Sequence, residues 1–548
     1  MYERLIENWL DSASERSYQA PFCQMLLAKG YTVLHSTRHG PIEFGKDIIA
    51  RAPNGTLCAY QLKGNPGSRL TSVQVRDIQG QLIQLVSQPV QLPGLPVADH
   101  HSFLVTNGEV DEEARQALVE IGQGLRNAGY RYPEIELLTR GSMLAWAKEL
   151  GTDLWPSEME DISALLEMLV HDGRKFVPQI KLHTLLCKLL GLEYRGRKRL
   201  SAADVRRRIT SAALLTGISL KNFLVKENHY ASIMAWTMFA VYAIGVCEKY
   251  QISYENNGKQ AVRLAKWAIF DNLCDLCDEL KGRRHLVEGN AVTDTLFYPV
   301  RQLLLSALMA LLWFWANEVG WSNEEQKYFV EKFIPRQPQK GWLWGEGAIP
   351  QWLIYLWFLR ARDATPAPDL HLAGLLKAVC EQNKKEHESL ASPYYTAEDI
   401  IRHQLNQVLG KEEDPLKDEG GFRDSYSTEG LMHLLVRTGL KRTCQSIWPD
   451  FSLLSQHWFE PSQLWQYCLW RSEEGVERSR QSPVSEKWEN LCEQARDSKG
   501  VQVPRPLRED KYLLMLWTII APHRATSSTV RLLGRRFNEC WFLKPAYE

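Results

Sequence analysis

The spacing of apolar residues at the start of the chain predicts helices followed by short strands. Apolar side chains in residues 5–9 and 22–27 recur at the spacing of one helix face, and Gly30 ends this helical stretch. Strand-like runs follow at residues 31–35, 47–51 and 57–63. Because residues 53–55 (Pro-Asn-Gly) form a strong turn signal between the last two runs, we expect those two strands to form a hairpin.

The same pattern continues to about residue 150. A helical period covers residues 74–86, and the prolines in residues 87–99 indicate a loop. An apolar run at residues 102–106 predicts a buried strand, residues 111–125 predict a helix, and residues 135–138 predict a last strand. This order is typical of a small α/β domain with a mixed central sheet flanked by helices.

Beyond about residue 153 the strand signals vanish and the pattern predicts successive helices. Seventeen of the 19 Trp residues lie beyond residue 150. Aromatic residues at helix spacing usually fill cores, with ligand stacking as the alternative. We therefore expect a large all-α, Trp-rich region, and a degenerate solenoid stays open because no repeat has a fixed period. The predicted domains are residues 1–150, 157–335 and 341–548.

Composition narrows the class of protein. Hydrophobic residues make up 45% of the chain and charged residues 24%, which is typical of a globular protein rather than a disordered or disulfide-rich one. Lys and Arg equal Asp and Glu at 65 each, so any nucleic-acid footprint must be local. The 11 Cys are scattered, and the first ten residues contain acids among the apolar positions. We expect a cytoplasmic protein with reduced thiols and no signal peptide.

Two apolar runs could be either membrane segments or buried core helices. Residues 230–247 contain no charged side chain, and residues 302–316 form a shorter run. A helix needs about 20 apolar residues to span a bilayer. We expect both runs to be buried core helices and no membrane as a partner, with membrane insertion as the alternative.

The residue types with the clearest chemistry lie on the predicted hairpin. Asp47 opens one strand, and Gln61 and Lys63 lie on the other, where alternation places both side chains on one face. A carboxylate, an amide oxygen and an ammonium would then converge, and the Leu62 carbonyl can add a further oxygen. Such oxygens suit Mg²⁺ or Mn²⁺, which activates water in phosphodiester hydrolysis. A further acid from the preceding helix is expected to be Glu15.

The Asp47, Gln61-x-Lys63 pattern resembles the PD-(D/E)xK nuclease superfamily, specifically its Mrr-like restriction endonuclease branch, which often carries Gln in place of the second acid. Three further segments are similar to that branch, and with the Asp47 pattern they cover about residues 1–148. They are residues 26–31 (LLAKGY), 105–108 (VTNG, followed by Asp111 and Ala114) and 135–144 (IELLTRGSML). The resemblance implies a restriction-endonuclease-like fold.

The resemblance also implies a role for each site residue. Asp47 would be a metal ligand, Gln61 a metal-proximal ligand and Lys63 the catalytic lysine. Two features depart from the family pattern: a bulky Lys46 lies between Gly45 and Asp47, and residues 39–43 are not glycine-rich. The extra acid could come from Glu15, from Glu7 as runner-up, or from Glu43, which could also be a plain loop acid.

A local basic segment is the candidate nucleic-acid contact. Residues 1–150 contain 14 Lys and Arg against 16 Asp and Glu, so the predicted nuclease domain needs help to hold phosphates. Residues 194–210 contain one acid and seven basic residues, among them Arg197, Lys198, Arg199, Arg206, Arg207 and Arg208. Ser201 and Asp204 resemble a capping box that opens a helix. The alternative is a solvated helix end, and a fainter candidate lies at Arg531, Arg535 and Arg536.

Together these patterns predict a metal-dependent DNA endonuclease. Resemblance to restriction-type nucleases suggests a prokaryotic defence effector, with the helical region as a sensor or oligomerisation platform. Cleavage of both strands would favour a homo-oligomer, and any NTP-driven step would need a partner subunit because no P-loop is present. The alternatives are an RNA nuclease and a non-catalytic nucleic-acid-binding or scaffold protein. We expect Cys274 and Cys277 to be two thiols on a helix, and His100 and His101 to lie on a solvated loop.

Overall fold

The chain forms two compact units, Met1–Asn272 and Leu273–Glu548. The computed structural model describes residues 2–36, 45–92, 95–149, 159–193, 200–281, 298–321, 323–336, 343–363, 367–384, 389–411, 423–472, 475–496 and 501–537. The domain boundaries expected near residues 150 and 335 stay predictions.

A five-stranded mixed sheet forms the centre of the first 150 residues. Its strands are β1 (Thr32–Ser36), β2 (Ile48–Arg51), β3 (Leu57–Lys63), β5 (His101–Thr106) and β7 (Ile135–Leu138), and the short strands β4 (Arg69–Leu70) and β6 (Glu109–Val110) pair separately. The order is β1-β2-β3-β5-β7. Strands β1 to β3 are antiparallel, whereas β3, β5 and β7 are parallel. The expected α/β region with a mixed central sheet is confirmed.

Six helices accompany this sheet. They are α1 (Tyr2–Leu10), α2 (Glu15–Ala28), α3 (Ser72–Asp77), α4 (Gln79–Ser87), α5 (Glu112–Asn127) and α6 (Arg140–Glu149). One buried cluster joins Ala59 and Leu104 of the sheet to Leu82 and Leu85 of α4 and Leu118 of α5. These helices bury the apolar side of the parallel strands, as parallel sheets require.

The predicted hairpin between β2 and β3 is confirmed. The two strands pair in antiparallel register, with Ile48 opposite Tyr60 and Arg51 opposite Leu57. Gly55 has a φ of 88°, in the left-handed region that glycine adopts without strain, and its N–H donates to the Ala52 carbonyl. The turn chemistry therefore sets the register that brings Asp47 towards Gln61.

The structure divides one expected helical segment and corrects the expectation for His100. The helix expected over residues 74–86 is two helices that meet at Ile78, and α3 begins at a capping box made by Thr71 and Gln74. His100 does not lie on a solvated loop, because its side chain is buried and its Nε2 lies 2.6 Å from the Leu85 carbonyl oxygen. Burial lowers the pKa of His100 to about 4.

The rest of the first unit is helical. Its helices are α7 (Met159–Val170), α8 (Gln179–Leu190), α9 (Ala202–Ser219), α10 (Lys221–Val225), α11 (His229–Lys249), α12 (Tyr254–Asn257) and α13 (Lys259–Leu280, which runs into the second unit). Helix α9 packs on α2, where a Cβ added at Gly217 would come within 2.4 Å of the Pro21 ring. The Gln24 amide also donates to the Ala261 carbonyl at 3.1 Å. Cys274 and Cys277 lie on α13 as expected.

Among the residues that the structure describes, two helices are long and apolar enough to cross a membrane by length and composition alone. They are His229–Lys249 and Val300–Val319. The protein itself buries 94% of the apolar window of the first helix and 67% of the window of the second. Burial of this extent is typical of a core helix in a folded unit.

The second unit combines helices with a small sheet. Its α-helices are Tyr298–Val319, Glu324–Phe333, Ile349–Asp363, Ala367–Asn383, Ala397–Val408, Thr428–Arg437, Lys441–Phe451, Trp488–Arg496, Arg505–Glu509, Lys511–Ile520 and Ser527–Phe537, with short 3₁₀ turns at Ile334–Arg336, Glu346–Ala348, Leu464–Cys468 and Pro522–Arg524. Strands β8 (Asp424–Ser425), β9 (Ser455–Glu460) and β10 (Val476–Gln481) form a sheet in the order β10-β9-β8. Trp357 and Trp517 lie in the core of this unit.

The expected all-α region was therefore wrong at this sheet. Every residue of β10 is exposed, and its sequence, VERSRQ, has no apolar alternation that would predict a strand. Pairing with β9 along six consecutive residue pairs stabilises β10 instead. Pairing with a distant partner leaves no local signal, so the sequence pattern could not reveal it.

Candidate functional site

The candidate site lies at the carboxyl end of β3, where the mixed sheet changes from antiparallel to parallel pairing. Asp47 precedes β2, and its backbone N–H donates to the Tyr60 carbonyl at 2.8 Å. This bond lies just beyond the last pair of the β2–β3 ladder, Ile48 with Tyr60, and keeps Asp47 next to the end of β3. The ends of parallel strands are a common location for sites because the following loops diverge there.

The structure brings Asp47, Gln61 and Leu62 into direct contact. Asp47 Oδ2 accepts a hydrogen bond from Gln61 Nε2 at 2.7 Å and another from the Leu62 N–H at 2.6 Å. Gln61 Nε2 also lies 3.4 Å from the Leu62 carbonyl oxygen. Asp47 and Gln61 are 5% and 2% exposed, so this polar cluster lies in a region largely closed to water.

With the Gln61 amide turned over, this arrangement would offer oxygens of the kind that a hard divalent cation takes. The Gln61 amide nitrogen donates to the Asp47 carboxylate and lies near the Leu62 carbonyl, so partial positive charge already lies among these oxygens. Rotation of the amide by half a turn would replace its nitrogen with Oε1, because the two ends of an amide have nearly the same shape. A carboxylate, an amide oxygen and a backbone carbonyl would then face one point, which is a ligand set that Mg²⁺ accepts together with waters.

Glu15 and Lys63 lie beside this cluster. Glu15 is the first residue of α2, and its carboxylate accepts a hydrogen bond from the Gly64 N–H at 3.3 Å. The backbones approach closely, since a Cβ added at Gly64 would lie 3.0 Å from the Glu15 nitrogen. The Lys63 side chain is partly exposed, and its ammonium has no hydrogen bond or ion pair with the other residues that the structure describes.

The two remaining candidate acids are Glu7 and Glu43. Glu7 lies on α1, and within the described ranges it has no contact with Asp47, Gln61 or Lys63. Glu43 falls outside the described residues. Of the acids weighed from the sequence, Glu15 is therefore the one that the described fold places next to the strand carrying Lys63.

Tyr18 is a site residue that the sequence did not reveal. Its hydroxyl lies 3.1 Å from the Lys63 carbonyl and 3.4 Å from the Val105 carbonyl, so it joins α2 to the ends of β3 and β5. Burial raises the pKa of Tyr18 well above its ordinary value, and the nearby carboxylates of Glu15 and Asp47 raise it further. Tyr18 follows Glu15 by three residues on α2, which is one helix turn, and this spacing was the only available signal.

Lys46, the bulky residue between Gly45 and Asp47, packs against α4. Its side chain is buried, with Nζ 3.5 Å from the Gln84 carbonyl of α4, and burial lowers the pKa of Lys46 to about 8. The preceding Gly45 has a φ of 74°, and a Cβ there would lie 2.5 Å from the Gln81 carbonyl oxygen. The chain thus passes tightly against α4 before it reaches Asp47.

The basic segment is only partly available for phosphates. Arg197, Lys198 and Arg199 lie outside the described residues. The capping box of Ser201 and Asp204 is confirmed at the start of α9. The other three basic residues each have a partner within the chain. Arg206 donates a hydrogen bond to Asn257, and Arg207 forms an ion pair with Asp204. Arg208 donates to the Leu189 carbonyl.

Arg206 and Arg207 remain exposed, whereas Arg208 is partly buried against the end of α8. The fainter candidates in the second unit also bond the protein. Arg531, Arg535 and Arg536 each donate to a backbone carbonyl, of Gln494, Arg496 and Glu509 respectively. Of the basic residues that the structure describes in the basic segment, Arg206 and Arg207 are therefore the ones that present charge to solvent.

No cluster of three or more His, Cys, Asp or Glu side chains suited to a metal ion is found among the described residues. The candidate ligand set contains two such side chains, Asp47 and Glu15, and adds an amide and a carbonyl. Comparison of the chain with protein-family models, with curated proteins and with solved structures finds no match.

Proposed function

We propose that this protein is a metal-dependent nuclease whose N-terminal α/β region has the restriction-endonuclease-like fold of the Mrr-like PD-(D/E)xK branch. The observation that carries the proposal is the contact of Asp47, Gln61 and Leu62 at one strand end. An ammonium with no described partner, that of Lys63, lies on the same strand. Support also comes from the mixed strand order, in which a hairpin precedes two parallel strands.

Each residue has a role in this proposal. Asp47, Gln61, the Leu62 carbonyl and Glu15 would hold Mg²⁺ or Mn²⁺, which when bound polarises the scissile phosphate and lowers the pKa of its water. Lys63 donates to a phosphate oxygen or orients the attacking water. Tyr18 holds the Lys63 backbone in place through the Lys63 carbonyl.

The proposed substrate is DNA, with RNA as the alternative because the site chemistry is common to both polymers. The proposed setting is a prokaryotic defence effector in the cytoplasm, whose helical regions sense a trigger or assemble copies of the chain. A homo-oligomer would supply two sites for the two DNA strands. Exposed Arg206 and Arg207 would hold phosphates through release of counterions.

Incubation of the purified protein with supercoiled plasmid and Mg²⁺ or Mn²⁺ tests the proposal. We expect the wild type to nick or linearise the plasmid. Asp47→Ala and Lys63→Ala should each reduce the rate by at least about 10²-fold, since each removes charge stabilisation in the transition state. Lys148→Ala is the matched control, because Lys148 forms an ion pair with Glu3 at the surface.

Each outcome has a clear meaning. Wild-type-like cleavage by Asp47→Ala and Lys63→Ala would refute the site. Loss of a structured RNA with plasmid left intact would identify RNA as the substrate. Binding of either polymer without any product would favour a non-catalytic binding or scaffold protein. Melting temperatures close to that of the wild type show that lost activity is not lost fold.

A further inference from the structure

We propose that Asn107 and Arg140 are positioning residues that hold the turn before α2, so that Glu15 faces the Lys63 strand. Asn107 lies in residues 105–108 and Arg140 in residues 135–144, two segments that are similar to the Mrr-like branch. The proposed chemistry gives neither segment a role. The inference rests on the proposed function, which makes Glu15 a metal ligand.

Asn107 joins three segments through one buried amide. Its Oδ1 accepts the Asn65 N–H at 2.8 Å, and its Nδ2 donates to the carbonyls of Leu10 at 2.7 Å and Ala13 at 2.8 Å. The side chain is fully buried. The amide orientation is determined, because only a nitrogen can serve two carbonyls and only an oxygen can serve the N–H.

Arg140 holds the same turn from a second direction. Its guanidinium forms two hydrogen bonds with the Asp11 carboxylate, Nε to Oδ1 at 2.6 Å and Nη2 to Oδ2 at 3.2 Å. The Arg140 N–H also donates to the carbonyl of Gly108, the residue after Asn107. Two-point contacts of arginine with a carboxylate fix direction as well as distance.

The held turn leads directly into the candidate site. Residues 11–13 connect α1 to Ser14, which caps α2, and Glu15 is the first residue of that helix. On the other side, Asn65 lies two residues beyond Lys63 and is held by the Asn107 amide. Asn107 therefore links the backbone before Glu15 to the backbone after Lys63. The hydrogen bond from the Gly64 N–H to the Glu15 carboxylate joins the same two segments directly.

If Asn107 had a purely structural role, its loss would affect Mn²⁺ affinity no more than the loss of a similar buried amide elsewhere. The chain offers such an amide as a matched control. Asn228 makes the same kind of set: Oδ1 accepts the Ala231 N–H, and Nδ2 donates to the carbonyls of Gly173 and Lys175. It caps α11 in the helical part of the same unit. Arg126, which pairs with Glu134 at the surface, is the control for Arg140.

The experiment compares Asn107→Ala with Asn228→Ala, and Arg140→Gln with Arg126→Gln, in the full-length protein. Calorimetry measures Mn²⁺ affinity without substrate, and plasmid cleavage is followed against Mn²⁺ concentration. We expect Asn107→Ala and Arg140→Gln to weaken Mn²⁺ binding by about 10-fold or more, as loss of a residue supporting a ligand usually does. Cleavage by both variants should recover in part at high Mn²⁺, while the controls behave as wild type.

Equal Mn²⁺ affinity in Asn107→Ala and Asn228→Ala would overturn the inference. If Asn107→Ala does not fold, Arg140→Gln decides, because the Arg140 side chain is 22% exposed and its loss opens no deep cavity. A wild type that binds Mn²⁺ but cleaves neither DNA nor RNA overturns the proposed function alone. The positioning inference is then judged on Mn²⁺ affinity, and a wild type that binds no Mn²⁺ overturns both.

Discussion

At the scale of single residues, the amide of Gln61 distinguishes this site from one with two adjacent acids. The amide donates to Asp47 at 2.7 Å, so the pair is stable without a metal. Two buried carboxylates at this separation would repel each other, and the pKa of one would rise strongly. When no cation is bound, Gln at position 61 therefore destabilises the folded site less than a second buried carboxylate would.

Substitution of Gln61 by Glu tests this reasoning. Without metal, we expect Gln61→Glu to lower the free energy of unfolding at pH 7 by about 2 kcal/mol or more, since it adds an uncompensated buried charge. Mn²⁺ should restore stability more in the variant than in the wild type, because a ligand stabilises the state it binds. Thermal unfolding with and without Mn²⁺ measures both effects, and equal Mn²⁺ shifts in the two proteins would contradict the metal site.

At the scale of elements, helix α2 connects the site to the helical part of the first unit. Its first turn contains Glu15 and Tyr18, and Pro21 in its middle packs on Gly217 of α9. Helix α9 itself begins with the capping box and the exposed Arg206 and Arg207. A contact of nucleic acid with α9 would thus act on a helix that touches the element bearing Glu15.

The double substitution Arg206→Ala with Arg207→Ala tests this contact. We expect weaker binding to DNA and a salt dependence of log K reduced by about 1–2, since each phosphate contact contributes a slope of roughly 0.9. Fluorescence anisotropy at several salt concentrations measures the slope. Arg174→Ala with Lys226→Ala, two exposed basic residues of the same unit, is the control. An unchanged slope would remove α9 from the interface.

At the scale of the whole molecule, buried histidines link stability to pH. Burial, with Arg531 adding to the effect, lowers the pKa of His433 to about 3. Burial likewise lowers the pKa of His523 well below its ordinary value. Both are neutral in the folded protein, whereas in the unfolded chain they gain a proton near pH 6.5. Their stabilising effect is complete above pH 6.5 and is lost as pH falls towards the folded pKa.

We therefore expect unfolding to become easier between pH 7 and pH 5, by about 2 kcal/mol for each such histidine. Urea unfolding followed by tryptophan fluorescence measures this change. His433→Gln should reduce the pH dependence by about that amount, while His371→Gln, at an exposed position, should leave it as in the wild type. A pH dependence that is the same in His433→Gln and the wild type would contradict this account.

The β2–β3 hairpin and the nearness of Asp47 to Gln61 could be read from local sequence. Turn residues and short apolar runs predicted the β2–β3 hairpin, whose register ends at Ile48 and Tyr60, and the next residues, Asp47 and Gln61, form a hydrogen bond. The capping box at Ser201 was readable for the same reason, because its two partners lie three residues apart. Glu15 was named from its position before the first strands, and the structure places it beside Gly64.

Local sequence by itself thus determined the β2–β3 hairpin and the contact of Asp47 with Gln61, because turns, caps and strand alternation depend on neighbours a few residues apart. Only the tertiary structure decided how Glu15 is held and where β10 finds its partner. Asn107 contacts Ala13 across 94 residues and Arg140 contacts Asp11 across 129. Such contacts follow from packing of the whole chain, and no local pattern specifies them.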